Sequence, residues 1–264
     1  MRQSLLRAGI DSDLSALRVK SLPAKKEKIL LLRAAYYYLC RTKKPLSFIL
    51  SNGGIFMKVL MLNGSPHKQG CTFTALSEIA KELEKQGIES EIIHLGKVEV
   101  RDCIGCKACR KLDCKCVFDD DIVNVIINKA KECDGFIFGT PVYYAHASGR
   151  LLSVLDRVFY SASAVFAHKP GAAVASARRA GTTASLDDVN KYFGIAGMPT
   201  VPSTYWNNVH GNTAEQTAND LEGLQTMRNL ARNMAWMLKC FEAGKKQGIE
   251  PPTPERDFQT NFIR

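Results

Sequence analysis

Three loops and one cysteine run place chemistry-bearing groups at close spacing. The first loop is Asn63-Gly64-Ser65-Pro66-His67-Lys68-Gln69-Gly70-Cys71-Thr72-Phe73, directly behind the apolar run Val59–Leu62. A strand that empties into a Gly/Ser/Pro turn, with a helix opening behind it, aims unpaired backbone N–H groups and the positive end of a helix dipole at one point. A phosphate suits that point. Ser65 and Thr72 offer hydroxyls, His67 and Lys68 offer donor or positive groups, and the N–H groups of Cys71–Phe73 open the helix. Each hydrogen bond to an ionised phosphate contributes roughly 1.5–3 kcal/mol, so a handful hold a monophosphate firmly. Neither Gly-Lys-Ser/Thr nor G-x-G-x-x-G is present, which argues against a nucleoside triphosphate or a dinucleotide as the guest. The plainer alternative is an ordinary strand–turn–helix with Thr72 as its N-cap.

The second loop, Thr140-Pro141-Val142-Tyr143-Tyr144-Ala145-His146-Ala147-Ser148, sets adjacent aromatics beside a proline. Such a loop supplies faces and backbone groups for a planar ring, or simply covers the end of a sheet. The third, Ser176-Ala177-Arg178-Arg179-Ala180-Gly181-Thr182-Thr183, carries two arginines. Arg178 and Arg179 are candidates to hold negative charge on a reduced cofactor ring or a phosphorylated substrate, or else form a solvated pair. Five of the nine cysteines fall within 103–116, as Cys103-x-x-Cys106-x-x-Cys109 and Cys114-x-Cys116. No cleavable secretory signal precedes them, so the cluster points to metal or redox use in the cytoplasm rather than to a disulfide framework.

The elements that must position these loops alternate. Strands are predicted at Lys58–Leu62, Glu89–Leu95, Gly135–Gly139 and Gly171–Ala177, with a weaker one at Thr200–Tyr205. Helices are predicted at Thr72–Gln86, Asp119–Cys133, from Ser148 to about Tyr160, at Thr183–Phe193 and at Thr217–Ala243. The order implies right-handed crossovers and a doubly wound five-stranded parallel sheet in a three-layer α/β/α fold. Its ligand crevice lies beyond the carboxyl ends of the central strands, where all three loops converge.

The net charge of +10 is concentrated at the start: residues 1–56 carry 11 Lys/Arg and 3 Asp/Glu, leaving 25 against 23 for residues 57–264. The near-neutral body argues against nucleic acid as a partner. No stretch is apolar for the roughly 18 residues of a membrane helix. Residues 1–56 lack sustained periodicity, and Asn52–Met57 can be encoded by a ribosome-binding sequence ahead of a start codon. We therefore expect residues 1–56 to be a non-native or disordered leader and residues 57–264 to be the folded domain. A basic targeting arm or a binding segment remains the alternative.

The three loops, with Ser148-Gly149, Leu155-Asp156-Arg157 and the closing Thr260-Asn261-Phe262-Ile263-Arg264, resemble the flavodoxin-like NAD(P)H-dependent FMN reductases and iron–sulfur flavoproteins. The resemblance spans Met57 to Arg264. It implies that Ser65, His67, Cys71, Thr72 and Phe73 hold the FMN phosphate, and that Pro141, Val142, Tyr143 and Tyr144 lie against the isoalloxazine, with Arg178 nearby. Family members often carry Asn at the position of Cys71 and Arg at that of His67. The cysteine run resembles the compact cluster motif of the iron–sulfur flavoproteins. Two C-x-x-C steps supply three thiolates of a [4Fe–4S] cluster, Cys103, Cys106 and Cys109, and Cys114 or Cys116 supplies the fourth. Zinc and unmetallated thiols stay open.

The resulting expectation is an FMN-dependent oxidoreductase passing electrons from NAD(P)H to a small-molecule acceptor (flavin, quinone or similar), assembled as a homodimer or homotetramer. An iron–sulfur electron carrier between redox proteins is the rival, and a DNA-binding protein using the basic leader is a more distant one. The leader is tested by intact mass of the protein from its native host: the mass of residues 57–264 is expected, and one that includes residues 1–56 refutes it.

Overall fold

The computed structural model describes residues 57–258, 260 and 262. All belong to one of the two units into which the chain divides, Phe56–Arg264. The leader expectation and Cys40 lie outside the described residues.

The apolar run after Met57 forms β1 (Lys58–Asn63), with Val59–Leu62 fully buried. A strand buried on both faces must be apolar at every position, and alternate side chains serve opposite layers. Leu60 and Leu62 enter one core with helices α2 (Val123–Ala130), α3 (Gly149–Phe166) and α4 (Thr182–Ile195). Val59 and Met61 enter the other with α1 (Cys71–Lys85) and α6 (Leu221–Lys246). The fold is therefore α/β in three layers.

The sheet also contains β2 (Glu89–His94), β3 (Gly135–Tyr143), β5 (Gly171–Ala177) and β6 (Asn208–His210), all parallel, in the order β2-β1-β3-β5-β6. A sixth strand, β4 (His146–Ala147), pairs antiparallel with the end of β3. Much of the expected ring loop is thus a tight hairpin. Among the described residues no helix is long and apolar enough to cross a membrane.

Three predicted elements are corrected. The final strand lies at Asn208–His210, not Thr200–Tyr205: Pro199 and Pro202 remove ladder donors, and only Thr200 bridges to Gly171. Helix α2 begins at Val123 rather than Asp119, because the acidic side chains hydrogen-bond locally. Asp121 accepts from the Val123 N–H at 3.0 Å and Asp119 from Asn124 at 2.9 Å. The last helical stretch is two helices, α5 (Ala214–Ala218) and α6, divided where Asp220 caps Gly223 at 2.9 Å.

Helices α1 and α6 are clasped by Glu82, which is buried and accepts from Arg232 Nε at 2.7 Å and Lys85 Nζ at 3.1 Å. The Arg232 hydrogen bond, opposed by burial and assisted by Lys85, holds this carboxyl below its ordinary value. A depressed carboxyl contributes stability above its unfolded value and loses it as pH falls through the folded one. Glu82→Gln is therefore expected to be less stable than wild type at neutral pH in urea denaturation. The gap should close below the carboxylate range; a gap independent of pH refutes the assignment.

Candidate functional site

The carboxyl ends of β1, β3 and β5 open onto a cleft of about 890 Å³. One wall is the turn from Ser65 to Thr72. The N-cap of α1 is Gly70, not Thr72, and no side chain caps the helix. The first-turn N–H groups of Cys71, Thr72 and Phe73 are left for a ligand, and no acidic residue in that turn opposes an anion. The turn is rigid: Ser65 N–H donates to Asn63 Oδ1 at 3.0 Å, and His67 N–H donates to Ser65 Oγ at 3.1 Å.

Ser65, His67, Cys71, Thr72, Pro141, Val142, Tyr143 and Arg178 all line this cleft. Phe73 and Tyr144 do not. Phe73 is half-buried on α1, so its possible contribution is its N–H. Tyr144 has φ +60° at the hairpin turn and is fully exposed. It lines an adjoining hollow with Arg178, Arg179 and Gly181, and the hollow meets the cleft at Val142 and Arg178. Partial burial pushes the Tyr143 phenol above its ordinary value, against a smaller pull from Ser65, so the group is a neutral donor at neutral pH.

Thr72 differs from expectation. Its side chain is buried and its hydroxyl pairs with Ser176 Oγ at 2.8 Å, so α1 is tied to the end of β5. Sequence reasoning missed the wall formed by Gly211–Glu215, and also His94 and Lys97. The signal for that wall was a helix start: Thr213 accepts from Gln216 N–H, and Gln216 Oε1 accepts from Asn212 N–H at 2.8 Å. Tyr205 and Trp206 are exposed before β6 rather than ending a strand.

The cysteine loop lies against α3. Cys103, Cys106, Cys109 and Cys116 share a small pocket with Arg157 and Tyr160, and Cys114 is not on it. None of the described cysteines is in a disulfide. Among the described residues, no three His, Cys, Asp or Glu side chains stand close enough to share a single metal ion. Four cysteine thiols are the donor set a [4Fe–4S] cluster takes. The second half of the loop is pinned by Asn124, which exchanges two hydrogen bonds with the Cys116 backbone at 2.9 and 3.0 Å. Arg157, 1 % exposed, forks onto Asp121 and also donates to Cys116 Sγ at 3.4 Å. Burial opposes its charge, but Asp121 and Cys116 outweigh that and raise its pKa.

The chain is similar in sequence and in fold to known proteins. The NADPH-dependent FMN reductase family matches residues 57–213. An iron–sulfur flavoprotein of Methanocaldococcus jannaschii is 34 % identical over 194 residues, covering 70 % of this chain and 100 % of that protein. One of Methanosarcina thermophila is 31 % identical over 197 residues, covering 72 % and 99 %. Among solved structures, a flavone reductase aligns with TM-score 0.54 at 17 % identity over 70 % of this chain and 64 % of that one. The apo form of an NADH:FMN oxidoreductase aligns with TM-score 0.52 at 15 % identity over 68 % and 89 %. The chain belongs to the NADPH-dependent FMN reductase family, and is a flavodoxin-like flavoprotein oxidoreductase that uses FMN.

Because Thr72 and Ser176 share one buried hydrogen bond, Thr72→Val leaves the Ser176 hydroxyl unpaired, at a cost of about 1–3 kcal/mol. Chemical denaturation should show that loss, with Thr72→Val/Ser176→Ala recovering part of it. A double variant no more stable than the single one refutes the pairing.

Proposed function

We propose that the protein passes electrons from NAD(P)H, through FMN held in this cleft, to a small-molecule acceptor such as a flavin or quinone. The observation that carries the reading is the uncapped N-terminus of α1, opening onto a cleft whose far wall is the Pro141–Tyr143 segment. FMN, when bound, supplies a ring that accepts two electrons and delivers them singly or as a pair. The N–H groups of Cys71–Phe73, with Ser65 and His67, hold its phosphate. Gly70 and the rigid Ser65–His67 turn keep those donors in place without an internal competitor. Pro141, Val142 and Tyr143 lie against the ring, and Arg178 at the rim offsets negative charge on it.

A second reading is favoured by the shared pocket of Cys103, Cys106, Cys109 and Cys116 and by the iron–sulfur relatives. These thiolates would hold a [4Fe–4S] cluster that supplies one-electron steps. The protein then carries electrons between redox proteins. We further infer a cytoplasmic homodimer or homotetramer, a reading supported by the unpaired cysteines and by Tyr144 and Trp236, which are exposed.

Anaerobically purified protein is expected to contain FMN at one per chain by absorbance, and NADPH or NADH should bleach it. Bleaching by a reduced ferredoxin but not by NAD(P)H selects the carrier reading. Colourless protein that refuses added FMN overturns both.

A further inference from the structure

We propose that Arg157 is a positioning residue for the cysteine loop: it seats Cys116, not Cys114, as the fourth sulfur beside Cys103, Cys106 and Cys109, and it sets the reduction potential of a cluster held there. The potential rests on the cluster reading above; the choice of cysteine rests on the geometry alone.

A guanidinium has five N–H donors, and all five of Arg157's are engaged. Two bond the Asp121 carboxylate, one the Arg101 carbonyl at 3.2 Å, one the Phe118 carbonyl at 3.4 Å, and Nε donates to Cys116 Sγ. Four of these bonds fix the loop at its start and end. The fifth selects one sulfur. An arginine needed only to balance Asp121 would not require a thiol partner.

The backbone removes the other choice. Asn124 bonds Cys116 at both N–H and C=O, and the Cys116 sulfur lies against Arg157 of α3. Cys114, two residues earlier, sits at φ +47° outside the pocket and packs partly buried against the core. On the helix side, Cys109 Sγ donates to the Tyr160 carbonyl at 3.6 Å, three residues beyond Arg157. Cys109 and Cys116 are therefore both seated on a single stretch of α3.

A charged N–H donor on a sulfur forms a stronger hydrogen bond than a neutral one. Donors to ligand sulfurs stabilise the more reduced, more negative form of a cluster, so removing one moves the potential down. Lysine keeps the positive charge for Asp121 but lacks the fork that reaches the sulfur at the same time.

The test uses the full chain, anaerobically, with Cys114→Ser, Cys116→Ser and Arg157→Lys. Readouts are the rate at which a thiol reagent labels Cys116 of the metal-free protein relative to buried Cys133, iron and sulfide after reconstitution, and the cluster midpoint potential by dye-mediated titration. FMN retention checks the fold. Cys116→Ser is expected to lose most of the iron, and Cys114→Ser to keep it. Arg157→Lys should label at Cys116 several-fold faster and titrate at a more negative potential than wild type.

The reverse cysteine pattern overturns the proposal. So does an Arg157→Lys protein that only melts earlier, with Cys116 labelling and potential unchanged. Wild type that takes up no iron and sulfide defeats the cluster reading, while the labelling of Cys116 in Arg157→Lys still decides the positioning role. If Arg157→Lys fails to retain FMN, the uncharged pair Arg157→Gln/Asp121→Asn carries the same measurements.

Discussion

The cleft depends on the close approach of two glycines at the carboxyl ends of β1 and β3. Gly64 N–H donates to Gly139 O at 2.8 Å, which turns the chain off β1 one residue after the strand ends. A Cβ on Gly64 would lie 2.9 Å from that same oxygen, and one on Gly139 would lie 2.9 Å from Thr72 Cγ2 and 3.0 Å from Leu76 Cδ1. A side chain on Gly64 would press on the Gly139 carbonyl and on Leu151 of α3, and one on Gly139 would press on α1 through Thr72 and Leu76. With both absent, the helix settles low enough for Thr72 to reach Ser176. Its unpaired N–H groups then face the cleft instead of solvent.

Much of this arrangement was legible in the chain. Strands buried on both faces announce themselves as unbroken apolar runs, which is why β1 and β5 were located closely. The turn from Ser65 to Thr72 was legible as a strand-to-helix connection because Gly, Ser and Pro interrupt the apolar run before helical spacing begins. Where reading failed, a local interaction overrode the pattern. Asp119 and Asp121 suggested a helix start through dipole complementarity, but they stay ahead of the helix, where their carboxylates accept from Asn124, Val123 and Arg157. A three-residue edge strand such as Asn208–His210 carries too little periodicity to compete with the β-branched and aromatic residues of Thr200–Tyr205, and only the prolines there hinted otherwise. The Thr72–Ser176 bond joins positions 104 apart, and no local pattern encodes such a pairing.

Helix α3 links the β3–β4 hairpin to the cysteine loop. It begins where that hairpin ends: Ser148 N–H donates to Thr140 Oγ1 at 2.9 Å, and Arg150 then holds the Gly96 and Lys97 carbonyls at the entrance to the cysteine connection. Two turns further on, a rise of about 12 Å from its first residue, Arg157 holds the connection near its start at the Arg101 carbonyl and at its exit at the Phe118 carbonyl. A long excursion between β2 and α2 is therefore stapled at both ends to one straight segment. Ala162 departs from helical geometry only beyond these contacts, close to where Ser161 Oγ takes the Arg157 carbonyl at 2.6 Å.

Every long strand runs the same way, which gives the sheet two unlike rims. One rim bears the cleft. At the other, Lys58 N–H meets Asp134 and Gly171 N–H meets Pro199, closing the entry points of β1, β3 and β5. A surface attachment made at that entry rim, to a resin, an electrode or a fused domain, would leave the cleft turned outward and open to a diffusing small molecule.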